Sequence, residues 1–192
     1  GGPGMKDKRI AIIGCGAIGG YLSTLVAKVG AGVGSGYLHL YDNDILTTDN
    51  LGRHYLGVQY VGDKKSHSMM SEIKKNSPEP NINIQAFDEW KPSNANYYKY
   101  DYVINVTGNQ LLSIAITHDF YRKQSDKTIL IHGWIDASGY AARSLLDDKS
   151  HACFRCLKDD KMGDRFELVS KDDLKNLPEI SMKCGAAFMP YS

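Results

Sequence analysis

The sequence predicts an α/β fold, a Rossmann-like doubly wound and mostly parallel sheet, on three observations. The apolar run Ile10-Ala11-Ile12-Ile13 is too brief for a helix and reads as a strand buried on both faces. It leads into Gly14-Cys15-Gly16-Ala17-Ile18-Gly19, after which apolar residues recur at Ile18, Tyr21, Leu22, Leu25, Val26 and Val29, a helical period. A second strand over 37–41 (YLHLY) then delivers Asp42 to a strand end. A strand, a glycine-rich turn and a helix make a seat for nucleotide phosphates. The glycines let backbone approach the anion, and the free N–H groups and dipole of the helix start face it. An acid at the next strand end can bond ribose hydroxyls.

The remaining elements follow in order. Residues 29–36 (VGAGVGSG) end the first helix with glycines able to take a left-handed cap. Residues 42–62 are too polar and irregular for a regular element, and a loop this long is usually functional. Residues 65–75 read as a helix that stops before Ser77-Pro78. Residues 81–87 alternate as a modest strand, and 89–99 read as a loop or a short helix. Residues 101–107 (DYVINVT) are a buried strand ending at Gly108-Asn109, 110–122 an amphipathic helix and 128–133 (TILIHG) the next strand. Residues 140–146 suit an antiparallel strand, 151–164 form a CxxC-bearing loop, and Ser170 to Asp173 resemble a capping box opening a short helix. The order β-α-β-α-β-β-α-β suits a parallel sheet. Its carboxyl edge would collect Gly14 to Gly19, Asp42, Thr107 to Asn109 and Gly133.

At 192 residues, the chain suits one domain with a sizeable core. A net charge of +1 with no basic block calls for neither nucleic acid nor an anionic membrane. No apolar run approaches a bilayer span, and no signal-peptide pattern is present. Residues 1–4 (GGPG) read as a tag remnant. Residues 5–192 read as a single domain, with 147–192 a crossover and CxxC-loop region and the C-terminal part truncated. Four cysteines, two of them in a CxxC, suit a reducing cytosol rather than a disulfide framework, so a cytoplasmic location is expected.

Arg53 and Lys65 bear on which nucleotide would bind. An NAD site needs little cationic charge beyond the helix dipole. A triphosphate that expels pyrophosphate needs fixed cations where charge grows. Arg53 and Lys65 lie just past the ribose acid and could fold over the phosphates, or both could be solvated loop charges.

DNDILTTDNLGRHYL, then VGDKK and DYVINVTGN, resemble the ThiF/MoeB/ubiquitin-activating-enzyme superfamily. The resemblance covers Arg9 to about Cys156. It implies an enzyme that binds ATP and Mg²⁺ and adenylates the C-terminal carboxylate of a ubiquitin-like protein. By position, Gly14, Gly16 and Gly19 would cradle the nucleotide and Asp42 would bind the ribose. Asn50, Arg53 and Lys65 would contact the phosphates. The sequence departs from that pattern at His54, where glutamine is usual. It departs again at Gly108 and Asn105, where acids are usual, so either Asp44 or Asp101 would serve the metal or pyrophosphate departure would rest more on Arg53 and Lys65. NLGRH, HGWIDASGYAARSLL, ACFRCL and CGAAFMPYS are similar to the activating-enzyme domains of bacterial antiphage (CBASS-type) ubiquitin-like conjugation systems. The implied partners are a ubiquitin-like or CD-NTase-type C-terminus and a conjugating-enzyme domain, fused or separate, with a homodimer through the adenylation domain.

Cys153 and Cys156 have metal-ligand spacing, since one turn lets both thiolates reach a tetrahedral ion. A structural Zn²⁺, a redox pair and an empty half-site all suit the pair. By the resemblance, Cys184 occupies the place of a cysteine that attacks the acyl-adenylate, with Lys183 beside it to lower its pKa. A buried small apolar residue is the competing reading. The function expected is therefore adenylation followed by thioester formation, with Arg53, Lys65 and Cys184 catalytic. The alternatives are a sulfur-carrier adenylyltransferase of thiamine or molybdopterin synthesis and a nucleotide-binding scaffold without activity.

Overall fold

The computed structural model describes residues 4–123, 127–136 and 141–157. Six strands form one sheet in the order β3-β2-β1-β4-β5-β6. They are β1 (Arg9–Ile13), β2 (Tyr37–Tyr41), β3 (Ile84–Phe87), β4 (Tyr102–Asn105), β5 (Ile129–Asp136) and β6 (Ala141–Asp147). The first five are parallel, and β6 runs antiparallel to β5. The helices are α1 (Ala17–Lys28), α2 (Lys65–Asn76) and α3 (Gln110–Arg122). Among the described residues no helix is long and apolar enough to cross a membrane.

Strand alternation sorts the core into two layers. Ile10, Ile12, Leu38, Leu40 and Ile84 pack with Val26 of α1 and Met69 and Ile73 of α2. Ala11, Ile13, Val103 and Leu130 meet Ile116 and Phe120 of α3, together with Trp90, Tyr97 and Tyr100. Those three aromatics come from the β3–β4 connection, which contains two 3-10 turns (Pro92–Asn94 and Tyr97–Lys99) and no α-helix.

Two expectations need correction here. The apolar period of α1 is helical, yet Tyr21, Leu25 and Val29 are about half exposed, at 50%, 58% and 54%. The residues α1 buries include the small Gly19, Gly20, Ser23 and Thr24, because the helix lies close to its neighbours and leaves no room for larger side chains. Second, β5 continues past Gly133 to Asp136, since β6 supplies pairs such as Gly133–Ser144 and Trp134–Arg143. Gly133 therefore lies inside the sheet rather than at its ligand edge. The capping box at 170–173 lies outside the described residues.

Register fixes where that edge falls. Ile13 lies opposite Tyr41 on one side and Asn105 on the other, so the loops after β1, β2 and β4 leave the sheet side by side. The strand order reverses between β1 and β4, which opens a crevice at that point.

Below the crevice runs a buried polar network. Asn105 Nδ2 donates to Ser113 Oγ (2.8 Å) and meets His132 Nδ1 (3.0 Å). His132 Nε2 meets Thr117 Oγ1 (3.1 Å), which donates to the Ser113 carbonyl. These contacts assign His132 the neutral tautomer with its proton on Nε2. Burial pushes its pKa down to about 4. Truncating it would leave one Asn105 Nδ2–H and one Thr117 Oγ1 lone pair unmet in the core and open a cavity beside them, so His132→Ala should lose about 3 kcal/mol of stability by urea denaturation. The wild type should also lose stability as pH falls from 6.5 toward 4. The unfolded imidazole takes up a proton there that the folded one refuses. His39, likewise held near 4 by burial, adds to that loss with the same sign.

Candidate nucleotide-binding site

The glycine turn is built from both neighbouring connections. Gly14 has φ +95°, and a Cβ there would meet Thr107 at 3.0 Å. A Cβ on Gly19 would lie 1.8 Å from the Gly14 carbonyl oxygen, so the helix can start this close to β1 only with glycine at that position. Gly16 differs, because a Cβ there would meet nothing within 4 Å. It is the N-cap of α1 and supplies no side-chain cap, and the first turn carries no acid. The first-turn N–H groups have no acceptor within their own helix. The turn thus leaves backbone donors and open space on one side, which is what an anion needs.

Asp42 anchors the turn. Its Oδ2 accepts the Cys15 N–H at 2.6 Å and its Oδ1 the Asp44 N–H at 2.8 Å. Burial raises its pKa, and the two backbone bonds pull the other way. Each oxygen keeps a lone pair for a hydroxyl donor. Cys15 itself is fully buried and its thiol is pushed well up by burial, so it belongs to the packing.

The 42–62 segment is an ordered cover rather than an irregular loop. It holds 3-10 turns at Thr48–Asn50 and Val58–Tyr60, and Ile45 bridges Lys64. Asn50, expected at the phosphates, is buried and accepts the Thr47 N–H through Oδ1, while its carbonyl accepts from both Arg53 N and His54 N. It shapes the turn that presents Arg53. Lys65 opens α2 with its Nζ 3.0 Å from Asp44 Oδ2; Lys65 is 8% exposed, whereas the Asp44 side chain is 66% exposed. A buried ammonium beside an exposed carboxylate can exchange that partner for a phosphate.

His54, visible in the sequence only as a departure, proves central. Its Nε2 lies 2.6 Å from the Cys15 carbonyl and its Nδ1 accepts the Leu56 N–H at 3.0 Å. The neighbouring Tyr55 explains Gly20, where a Cβ would meet Tyr55 Cβ at 3.2 Å. The only sequence signal was a second glycine beside the motif.

The β4–α3 turn completes the edge. Asn105 Oδ1 accepts from Thr107 Oγ1 (2.9 Å), and Asn109 caps α3 by accepting the Leu112 N–H (3.0 Å). Gly108 stands at φ +67° with nothing within 4 Å of a Cβ. Asp101, one of the two acids expected to serve Mg²⁺, is excluded by geometry. It sits at the amino end of β4 and forms a two-pronged pair with Arg9, at the opposite edge of the sheet. Arg9 holds its carboxyl below the usual carboxylate range. Asp44 remains.

Cys153 precedes a 3-10 turn (Phe154–Leu157) and Cys156 lies within it, with their sulfurs 3.6 Å apart. Two thiolates on one tetrahedral zinc lie about 3.8 Å apart, so the pair fits two corners of a site. Among the described residues no group of three or more His, Cys, Asp or Glu gathers for a metal. Cys184 lies outside the described residues.

A glycine turn with open backbone donors, a strand-end carboxylate and a switch point define a nucleotide-binding α/β domain. The chain belongs to the ThiF family, whose sequence pattern matches residues 4–180. It is 35% identical over 195 residues to the ATP-dependent ubiquitin transferase-like protein Cap2 of Vibrio cholerae serotype O1, covering 97% of this chain and 32% of that protein. The protein of the same name from Pseudomonas aeruginosa is 38% identical over 190 residues, covering 97% and 33%. The chain thus spans about a third of these relatives. Among solved structures, Escherichia coli MccB with ATP superimposes with a TM-score of 0.62 at 20% identity, over 82% of this chain and 45% of that one. TcdA (CsdL) gives 0.53 at 21% identity, over 65% and 54%. At these identities the likeness is one of fold.

The two outer glycines of the motif should separate in experiment. Gly19→Ala should lower stability by about 3 kcal/mol through overpacking. Gly16→Ala should melt like the wild type yet weaken ATP binding by about tenfold or more, measured by calorimetric titration.

Proposed function

We propose that residues 5–192 form an ATP-binding adenylation domain that activates the C-terminal carboxylate of a ubiquitin-like or CD-NTase-type protein in a bacterial antiphage conjugation pathway. The observation that carries this reading is the pairing of an open glycine turn with two cationic residues, Arg53 on the connection that covers it and Lys65 at the start of the helix that follows. Gly16 leaves room that no side chain among the described residues uses. Family membership supports the nucleotide, and the names of the Cap2 relatives support the class of substrate.

The chain's residues have distinct tasks. The first turn of α1 holds phosphate oxygens, and Asp42 takes the ribose hydroxyls. The partner's carboxylate oxygen attacks the α-phosphorus as the bond to the β-phosphate oxygen breaks, giving an acyl-adenylate and pyrophosphate. Lys65 leaves Asp44 for the phosphates and, with Arg53, stabilises the charge that grows on the leaving pyrophosphate. Asp44, so released, is the acid available to Mg²⁺, which would neutralise phosphate charge. The Cys184 thiolate then attacks the acyl carbon and expels AMP, leaving a thioester for transfer to a conjugating-enzyme domain. Cys153 and Cys156 supply two thiolates to a structural Zn²⁺. The domain works as a homodimer in the cytoplasm.

The test is pyrophosphate exchange into ATP, using the full-length protein and its ubiquitin-like partner. Exchange should require the partner's free C-terminus, and Arg53→Ala and Lys65→Ala should each reduce it by roughly 100-fold. Cys184→Ala should abolish the thioester and keep exchange. Undiminished exchange in both cation variants would refute their assignment. ATP binding without exchange under any partner would favour a scaffold.

A further inference from the structure

We propose that His54 is a positioning residue of the phosphate seat: through its Nε2–H it holds the Cys15 carbonyl and so aims the Gly16 N–H at bound phosphate. This inference rests on the reading of the glycine turn as an ATP seat. Cys15 C=O and Gly16 N–H belong to one peptide unit, and no peptide bond among the described residues is cis. In a trans unit the C=O and N–H bonds point in opposite directions, so fixing the carbonyl fixes the N–H. His54 lies on one side of that unit. A Cβ on Gly16, at the other end of the unit, would meet nothing within 4 Å among the described residues.

The preceding peptide is fixed separately, since Cys15 N–H is bonded to Asp42. The Cys15–Gly16 unit therefore keeps one easy motion, a flip about its flanking bonds, and glycine on its far side lowers the steric barrier to it. His54 blocks that flip. The imidazole is itself held, with its backbone N–H bonded to the Asn50 carbonyl and the Leu56 N–H bonded to Nδ1. It is 6% exposed. The position needs one acceptor facing Leu56 and one donor facing Cys15. A neutral imidazole protonated on Nε2 supplies both. A glutamine amide supplies the same pair, an alanine neither. A protonated imidazole supplies two donors, one of them set against the Leu56 N–H.

That last point makes the seat sensitive to acid. Asp42 faces His54 from the end of β2, Lys65 from the start of α2 and Arg53 from its own loop. Burial, with Lys65 and Arg53, lowers the His54 pKa below its ordinary 6.5, against the Cys15 carbonyl and Asp42, which raise it. The clamp is thus intact at neutral pH and released only on acidification. A glutamine in its place has nothing to titrate.

The experiment compares wild type, His54→Gln and His54→Ala as full chains by calorimetric titration with Mg·ATP at pH 7.5 and pH 5.5, alongside the NMR shift of the Cys15 carbonyl carbon. At the higher pH, His54→Gln should bind within about threefold of wild type and His54→Ala about tenfold more weakly. On acidification the wild type should weaken more than His54→Gln does. The Cys15 carbonyl shift should move toward its unbonded value in the alanine variant and return in the glutamine variant, with the β4 carbonyls unchanged. Alanine binding as wild type does, or glutamine as poor as alanine, overturns the proposal. If the wild type binds no ATP, the ATP-seat reading is what fails. The carbonyl shift then decides alone: a clamp released by alanine and restored by glutamine sustains the hold on the peptide, and an unchanged shift rejects it.

Discussion

The buried bond from Asp42 to the Cys15 N–H joins the two strand ends on which the rest of the site depends. It spans 27 residues and ties the turn after β1 to the end of β2 at 2.6 Å. With His54 on the adjacent carbonyl, the backbone at Cys15 is gripped by side chains from the strand end and from the connection that follows it. A glycine-rich turn would otherwise sample many conformations, and an anion site made of backbone N–H groups works only when they already point inward. The side chain expected to meet the ribose therefore also preorganises the phosphate seat.

The fold was legible because its signals are local. Apolar runs, the change of period after Gly19 and the proline at 78 marked the elements, and α3 begins and ends where the pattern places it, at Gln110 and Arg122. Gly14, Gly19 and Asp42 were legible for the same reason, each reporting a backbone requirement close by. Contacts between distant segments were not legible. Nothing in the run of letters tells that Asp101 closes on Arg9, or that Lys65 is buried against Asp44. Asn105 read as a missing acid. In the fold it is an amide whose N–H pairs with a neutral histidine, a role a carboxylate could not fill without charging that histidine.

The antiparallel β6 was anticipated, but its effect on β5 was not. Pairing with β6 extends β5 by three residues beyond Gly133 and carries Trp134 to Phe154, which also packs on His132. The turn bearing Cys153 and Cys156 is thereby fastened to the strand whose histidine supports Asn105 and, through it, Thr107. The cysteine turn and the nucleotide edge thus share one buried polar network, though they lie far apart in sequence.

The aromatic filling of the β3–β4 connection has an optical consequence. The chain has two tryptophans. Trp90 is buried against Tyr41, the residue before Asp42, with ring centroids 5.0 Å apart. Trp134 lies against Phe154, between the two cysteines, with centroids 5.3 Å apart. One indole therefore stands at the end of β2 and the other beside the thiol pair. Their fluorescence divides the molecule into two separately readable halves, without a single introduced dye.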